Sequence, residues 1–187
     1  MFRFLLACAC LSLGVSLSTA AENDKPEPQA RGKKVNGKYH GPVEIWTTPE
    51  YRQAAGKYYQ GEPDGKWTLW DEVGTKVAEI TYRMGSFTGA VTMWHNSASG
   101  PRMRGKLKFR GSFNDGWWQG SALTYYPNGK VRSERTYVNG KIIASYAYHP
   151  NGKSIEKKEA EKITAKDETA DNAYVDAVDA FIRRWAG

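Results

Sequence analysis

Glycines and aromatic residues recur along this chain with a fixed cadence, and that cadence limits the fold more than any other feature. Gly61, Gly65, Trp70, Gly74 and Tyr82 stand at relative positions 0, 4, 9, 13 and 21, and Gly116, Gly120, Tyr125, Gly129 and Tyr137 repeat the same five offsets. Gly37, Gly41, Trp46 and Tyr58 match at 0, 4, 9 and 21, with Glu50 in place of the third glycine. Gly85, Gly89 and Trp94 open another copy, and Gly140 opens a last one that runs a residue short to Tyr148 and Gly152. The starts at 37, 61, 85, 116 and 140 are separated by 24, 24, 31 and 24 residues. A period of this length is the mark of a repeat architecture, in which each unit buries its apolar face against its neighbours.

Within one copy, KWTLW and KVAEITY are short runs rich in β-branched and aromatic residues, joined across Asp71-Glu72-Val73-Gly74. Each unit therefore reads as a β-hairpin. Asn36-Gly37, Asn128-Gly129, Asn139-Gly140 and Asn151-Gly152 supply the pair that tolerates the positive φ angles of tight turns. The fold expected is mainly β: five tandem hairpins forming a twisted antiparallel meander of about ten strands. GEPDGKWTLWDEVGTKVAEITYRMGSFTG and YYPNGKVRSERTYVNGK resemble the MORN-repeat variant of the YwqK-type antitoxins. The resemblance covers about 35–153, and it implies a β-repeat fold and an interaction role with no catalytic residues to carry over.

The flanks differ from this region. Residues 1–21 have an Arg, an apolar run from Phe4 to about Leu17, then small residues, the order of a cleavable secretory signal. Export to the periplasm or beyond is expected, with cleavage after Ala20 or Ala21; Leu5-Leu6-Ala7-Cys8 is the weaker alternative of a lipid-attachment box. Both cysteines, Cys8 and Cys10, lie inside that leader, so the remainder has no thiol for disulfides, catalysis or zinc. Residues 22–34 are charged, contain two prolines and read as a flexible linker. From 154 to 187 the period changes: Tyr174, Val178, Phe181 and Trp185, flanked by Val175 and Ile182, make one apolar stripe on a helix from about Asp171 to Trp185. That helix is expected to cap the sheet or to dock a partner, with Asp171, Asp176 and Asp179 on its polar face.

Charge is concentrated in the repeats. From Gly32 to Gly152 there are 17 Lys and Arg against 9 Asp and Glu, whereas from Lys153 onward there are 7 against 8. RMRGKLKFR places Arg102, Arg104, Lys106, Lys108 and Arg110 at alternate positions, which predicts a strand with one cationic face. Such a row either protects a sheet edge or docks an anionic protein, a lipid headgroup or an acidic glycan. Nucleic acid is not expected as a partner for an exported chain. Trp117 and Trp118 are adjacent, so a regular strand turns one of them outward as a candidate anchor, whereas Trp46, Trp67, Trp70 and Trp94 are expected in the core.

Catalysis finds little support. His40, His95 and His149 lie in three different repeats at unrelated spacings, and neither a nucleophile elbow nor a zinc-binding helix motif is present. The reading is a non-catalytic repeat module without cofactor or metal, not an integral membrane protein, whose basic strand and outward Trp meet an anionic partner. Two alternatives stand beside it. One is an antitoxin or immunity protein that neutralises a toxin, implied by the family resemblance; the other is a glycan or cell-wall binder using exposed aromatics.

Overall fold

A computed structural model describes residues 29–187. The leader expected at 1–21 and the linker expected over 22–28 lie outside the described residues. Twelve strands, β1 (Gln29–Val35), β2 (Lys38–Trp46), β3 (Arg52–Tyr59), β4 (Glu62–Trp70), β5 (Lys76–Arg83), β6 (Ser86–Phe87), β7 (Gly89–Trp94), β8 (Leu107–Asn114), β9 (Trp117–Trp118), β10 (Gly120–Tyr125), β11 (Val131–Val138) and β12 (Lys141–Ala147), precede one long helix, α1 (Lys157–Arg183). They form one open antiparallel sheet in the order β1-β2-β3-β4-β5-β7-β8-β10-β11-β12, with β6 on β5 and β9 on β8. This is the meander expected from the repeat, with a C-terminal helix.

The cadence has a backbone cause. Asn36-Gly37, Gln60-Gly61, Met84-Gly85, Asp115-Gly116 and Asn139-Gly140 each place two successive residues at positive φ. Consecutive positive φ angles define the type I′ turn, whose twist matches that of the strands it joins. The glycine that opens every repeat is the second residue of this turn, linking the end of one hairpin to the start of the next.

Each hairpin also carries one bulge at the same place. Ile45 pairs with Ala54 but Trp46 with Arg52; Leu69 pairs with Ala78 but Trp70 with Lys76. Met93 pairs with Phe109 but Trp94 with Leu107, and Thr124 with Ser133 but Tyr125 with Val131. Gln53, Val77, Lys108 and Arg132 are therefore the extra residues. A bulge adds a residue to one strand and increases its twist, so four in register help the sheet curl.

The helix fills the inner face of that curl. At about 1.5 Å per residue it is roughly 40 Å long, close to the ~43 Å spanned by ten strands at ~4.8 Å spacing. Ala160 lies beside β12, and at the other end the Tyr58 hydroxyl donates to the Ile182 carbonyl at 2.5 Å and the Tyr39 N–H to the Ala186 carbonyl at 3.4 Å. Val175, Val178 and Ile182 join Val43, Ile45, Ala54, Tyr58, Trp67, Leu69, Ile80, Met93 and Phe109 in one core. Trp67 is fully buried and donates its indole N–H to the Lys57 carbonyl at 3.1 Å. Its ring lies flat against Gly56, where a Cβ would sit 2.2 Å from the indole.

Three sequence expectations change here. Residues 29–34, read as linker, form most of β1; the strand has no apolar cluster because its long side chains are cations that lie over neighbouring rings, with Arg31 5.0 Å from the centroid of Trp46 and Lys34 4.6 Å from that of Tyr39. The helix starts at Lys157 instead of near Asp171, because its first half faces the sheet through Ala160, Thr164, Asp167 and Asp171 and so has no apolar stripe. Asp171, assigned to the solvent face, is buried.

Candidate interaction surfaces

The basic run does not form one straight row. Residues 101–105 are turns, and the strand begins only at Leu107. The Met103 and Arg104 N–H groups both donate to the Gly100 carbonyl at 3.0 Å, and Gly105 sits at φ 71°. Arg102, Arg104 and Lys106 thus belong to the loop between β7 and β8, which holds the extra length of the third repeat. Arg104 leans on the neighbouring loop, donating from Nε to Thr75 Oγ1 at 2.5 Å and from Nη2 to the Val73 carbonyl at 3.3 Å. Lys108 is the bulge residue and turns toward the helix, its ammonium 5.0 Å from the Tyr174 ring centroid. Arg110 is exposed on β8. Alternation predicted one cationic face; an insertion and a bulge divide it, and among the described residues none of the five forms an ion pair.

The tryptophan pair splits as its adjacency requires. Trp117 is 64% exposed. Trp118 turns inward, stacked 3.8 Å from Phe113 between ring centroids, and donates its indole N–H to Asn172 Oδ1 at 2.9 Å. Trp118 is therefore half-buried against the core and is no exposed anchor. Trp117 follows the turn at the far end of β8 from Arg102, Arg104 and Lys106, about 23 Å away at ~3.3 Å per residue. These groups do not share a surface.

A different cluster emerges from residues the sequence placed in the core. Ile45, Leu69 and Met93 are buried, so the alternation of a strand puts the next residues, Trp46, Trp70 and Trp94, on the outer face. All three rings are half-buried. Each carries a cation from the adjacent strand: Arg31 lies 5.0 Å from the Trp46 centroid, Arg52 4.5 Å from Trp70 and Lys76 4.3 Å from Trp94. Because the rings sit on every second strand, they recur about every 10 Å, and the row from Arg31 to Trp94 spans roughly 24 Å. Arg52 is paired with Glu44 at 2.6 Å and Lys76 with Glu79 at 3.1 Å. Arg31 has no carboxylate partner among the described residues, and Arg102, Arg104 and Lys106 stand at the same end of the strands as this row. The signal for this site was present as Trp at offset 9 in three successive repeats, but periodicity alone does not assign a face at a bulge.

The inner face has its own polar site. Arg135 and Asp171 have side chains 1% and 4% exposed and meet at 2.5 Å. The same carboxylate accepts from Thr124 Oγ1 at 2.9 Å, while Asp167 accepts from Ser133 Oγ at 2.7 Å and pairs with Arg132 at 3.1 Å. Burial pushes the Asp171 carboxyl above its usual range even against the pull of Arg135. Burial likewise raises the Tyr58, Tyr82 and Tyr137 phenols. These groups lie beneath the helix and join it to the sheet. Among the described residues no group of three His, Cys, Asp or Glu side chains could hold a metal ion, and His40, His95 and His149 lie on separate hairpins. No helix among the described residues is long and apolar enough to cross a membrane.

Residues 118–139 match the family model of the MORN repeat variant. That span is the fourth unit, from Trp118 through both strands of its hairpin to the Asn139 turn. No curated protein matches the chain. Among solved structures, the crystal structure of a GtfA/B complex bound to UDP and GlcNAc is similar at 12% identity and a TM-score of 0.30, over 57% of this chain and 23% of that one. The chain thus spans under a quarter of that relative, and a likeness so slight carries no argument.

Proposed function

We propose that this chain is an exported, non-catalytic repeat module that takes an extended anionic partner, an acidic glycan strand, along the outer cation–tryptophan row. The MORN repeat variant at 118–139 supports an interaction role, and the leader-like residues 1–21 support export. One observation carries the choice of surface: three tryptophans from three successive hairpins stand in line on one face, each with a guanidinium or ammonium against its ring. A linear polymer of acidic sugars matches a straight row of charge and ring better than a compact ligand does, because each repeat of the polymer meets the next hairpin in the same way. Charge pairing supplies long-range attraction, and ring contact supplies a component that salt does not screen. Arg102, Arg104 and Lys106 extend the positive rim beyond Trp94, while Trp117 lies outside it.

Binding to immobilised polygalacturonate, compared with vesicles of anionic or neutral phospholipid, tests this reading. The triple variant Arg31→Ser/Arg52→Ser/Lys76→Ser is expected to lose polygalacturonate binding at least tenfold, Arg104→Ser/Lys106→Ser to weaken it severalfold, and Trp117→Ala to leave it unchanged. Retention by the triple variant, or preference for anionic vesicles over the polysaccharide, counts against the proposal. The toxin-neutralising role implied by the family resemblance would instead be favoured by a neighbouring reading frame encoding an exported toxin.

A further inference from the structure

The sheet ends in two unfinished hairpins, and they are complementary halves. β12 is the first strand of a unit: it follows the Asn139-Gly140 turn and runs into His149-Pro150-Asn151-Gly152. That turn repeats the bonds of Tyr126-Pro127-Asn128-Gly129, with Gly152 N–H donating to the His149 carbonyl at 2.7 Å as Gly129 N–H does to that of Tyr126 at 2.9 Å. The return strand is then cut short. Tyr148 and Ser154 form a single bridge, the Ile155 N–H donates to the Ala147 carbonyl at 2.9 Å, and the chain turns away into α1. Beside Ile142–Tyr146 this leaves an open groove of about 610 Å³, walled on its far side by Ile155, Ala160 and Glu161. Ile143 is 65% and Tyr146 55% exposed along it.

The opposite edge supplies the missing half. β1 precedes the Asn36-Gly37 turn as β3 precedes Gln60-Gly61 and β11 precedes Asn139-Gly140. By that alignment Ala30, Gly32 and Lys34 occupy the places of Ala54, Gly56 and Tyr58 in a second strand whose own first strand is absent among the described residues. Every neighbouring pair in the sheet is antiparallel, which is the direction that β1 of another molecule would take against β12.

We propose that β12 accepts β1 of a second copy of this chain, rebuilding one hairpin across two molecules and joining sheets head to tail. The pairings Ala122 with Arg135 and Gly120 with Tyr137 in the fourth unit set the register: Ser145 opposite Gly32 and Ile143 opposite Lys34 of the second copy. Tyr148 N–H bonds back to the Arg132 carbonyl, and the Ala147 carbonyl points outward to Ile155. Backbone groups two residues apart on a strand point the same way, so the Ser145 N–H and carbonyl face the vacant position. A contact between two different edges does not close on itself and generates an open-ended series. The inference is independent of the anionic ligand, because the cation–tryptophan row lies on the outer face and the contact uses the edges.

Cysteine pairs test the register directly. In a chain carrying Cys8→Ser and Cys10→Ser, Ile143→Cys in one preparation and Lys34→Cys in another are expected to form a mixed disulfide under mild oxidation, since opposed strand residues lie within the Cα range of such a bond. A chain bearing both substitutions is expected to give a ladder of oligomers. Sedimentation should show mass rising with concentration for the native chain, and Ser145→Pro, tolerated on an edge strand, should remove that rise while its melting curve persists. Cross-linking through Ile143→Cys alone, absence of the mixed disulfide, a monomer at every concentration, or unchanged association of Ser145→Pro would each overturn the proposal.

Discussion

The first three hairpins and the last two offer the helix different chemistry, apolar in the first and partly ionic in the second. In the first part the groove facing the helix is apolar, lined by Val43, Ile45, Trp67, Leu69 and Ile80, and the outer row alternates Trp46, Trp70 and Trp94 with Arg31, Arg52 and Lys76. In the second part the groove adds the buried polar residues Arg135, Asp171, Asp167, Ser133 and Thr124 to Ala122, Tyr137 and Ala147, and the outer row, after Leu107 of the third hairpin, continues as Tyr125, Val131 and Tyr148. One backbone repeat with one bulge position thus carries two different distributions of polarity. Where the inner face is greasy, the helix docks by burial and the outer face is available for charge. Where the inner face is ionic, the helix docks by pairing, and apolar surface appears outside and at the β12 edge.

Substitutions at the two docking sites should break this contrast most visibly. Trp67→Ala is expected to destabilise by about 3–5 kcal/mol in denaturant titrations, because it empties a large, fully buried site, and no second change nearby should rescue it. Asp171→Ala should cost a similar amount, about 3–5 kcal/mol, by leaving Arg135 buried without a counter-ion, whereas Arg135→Met/Asp171→Leu should recover most of that loss. If the double variant is as unstable as the single one, the polar half is held by more than the pair. Next in size, Gly56→Ala should cost about 1–3 kcal/mol through its collision with Trp67. Tyr82→Phe, which removes the 3.0 Å bond to Asp179, should cost about 1 kcal/mol.

The smallest effect is a matter of pH. The Asp171 carboxyl is raised from its ordinary 3.8 by burial, against the pull of Arg135 and Thr124, so the folded chain holds its proton more tightly than the unfolded one. Its contribution to stability therefore falls as pH rises from 3.8 through the raised value. For Asp71, burial acts upward, but the N–H groups of Ser97, Thr75 and Val73 hold the carboxyl below 3.8. Its contribution is present above 3.8 and is lost as pH falls through the lower folded value. Melting curves of Asp171→Asn and Asp71→Asn against the parent should accordingly diverge from it in opposite senses as pH is lowered from 7 toward 3. Parallel shifts would contradict the assignment.

The two halves also differ in how far the sequence reveals them. The 24-residue cadence of glycines and aromatics made the meander legible, although of the four Asn-Gly pairs only Asn36-Gly37 and Asn139-Gly140 place both residues at positive φ, and Gln60, Met84 and Asp115 fill the asparagine's place in the other three turns. The second half of α1 was legible as well, from the stripe of Tyr174, Val178, Phe181 and Trp185, although the residues that bury most deeply are Val178 and the flanking Val175 and Ile182. Its first half was not: Asp171 read as solvent-facing, and Thr164 and Asp167 fell outside the expected helix, because the partners Ser133, Arg132 and Arg135 come from a distant hairpin. The basic run misled for a related reason, since alternation holds only where a strand is continuous. The 31-residue spacing of the third unit was the trace of an insertion at Arg102 and Arg104, and the bulge at Lys108 left no trace in composition.

The helix occupies the inner face, and on the proposed function the partner takes the outer one. Hydrogen exchange of the full chain with and without saturating polygalacturonate tests it most directly. Slowed exchange is expected at the outer-row ends of β2, β4 and β7, around Trp46, Trp70 and Trp94, with no change along Lys157–Arg183. Protection confined to the helix and the inner strands, with the tryptophan row unaffected, would contradict it.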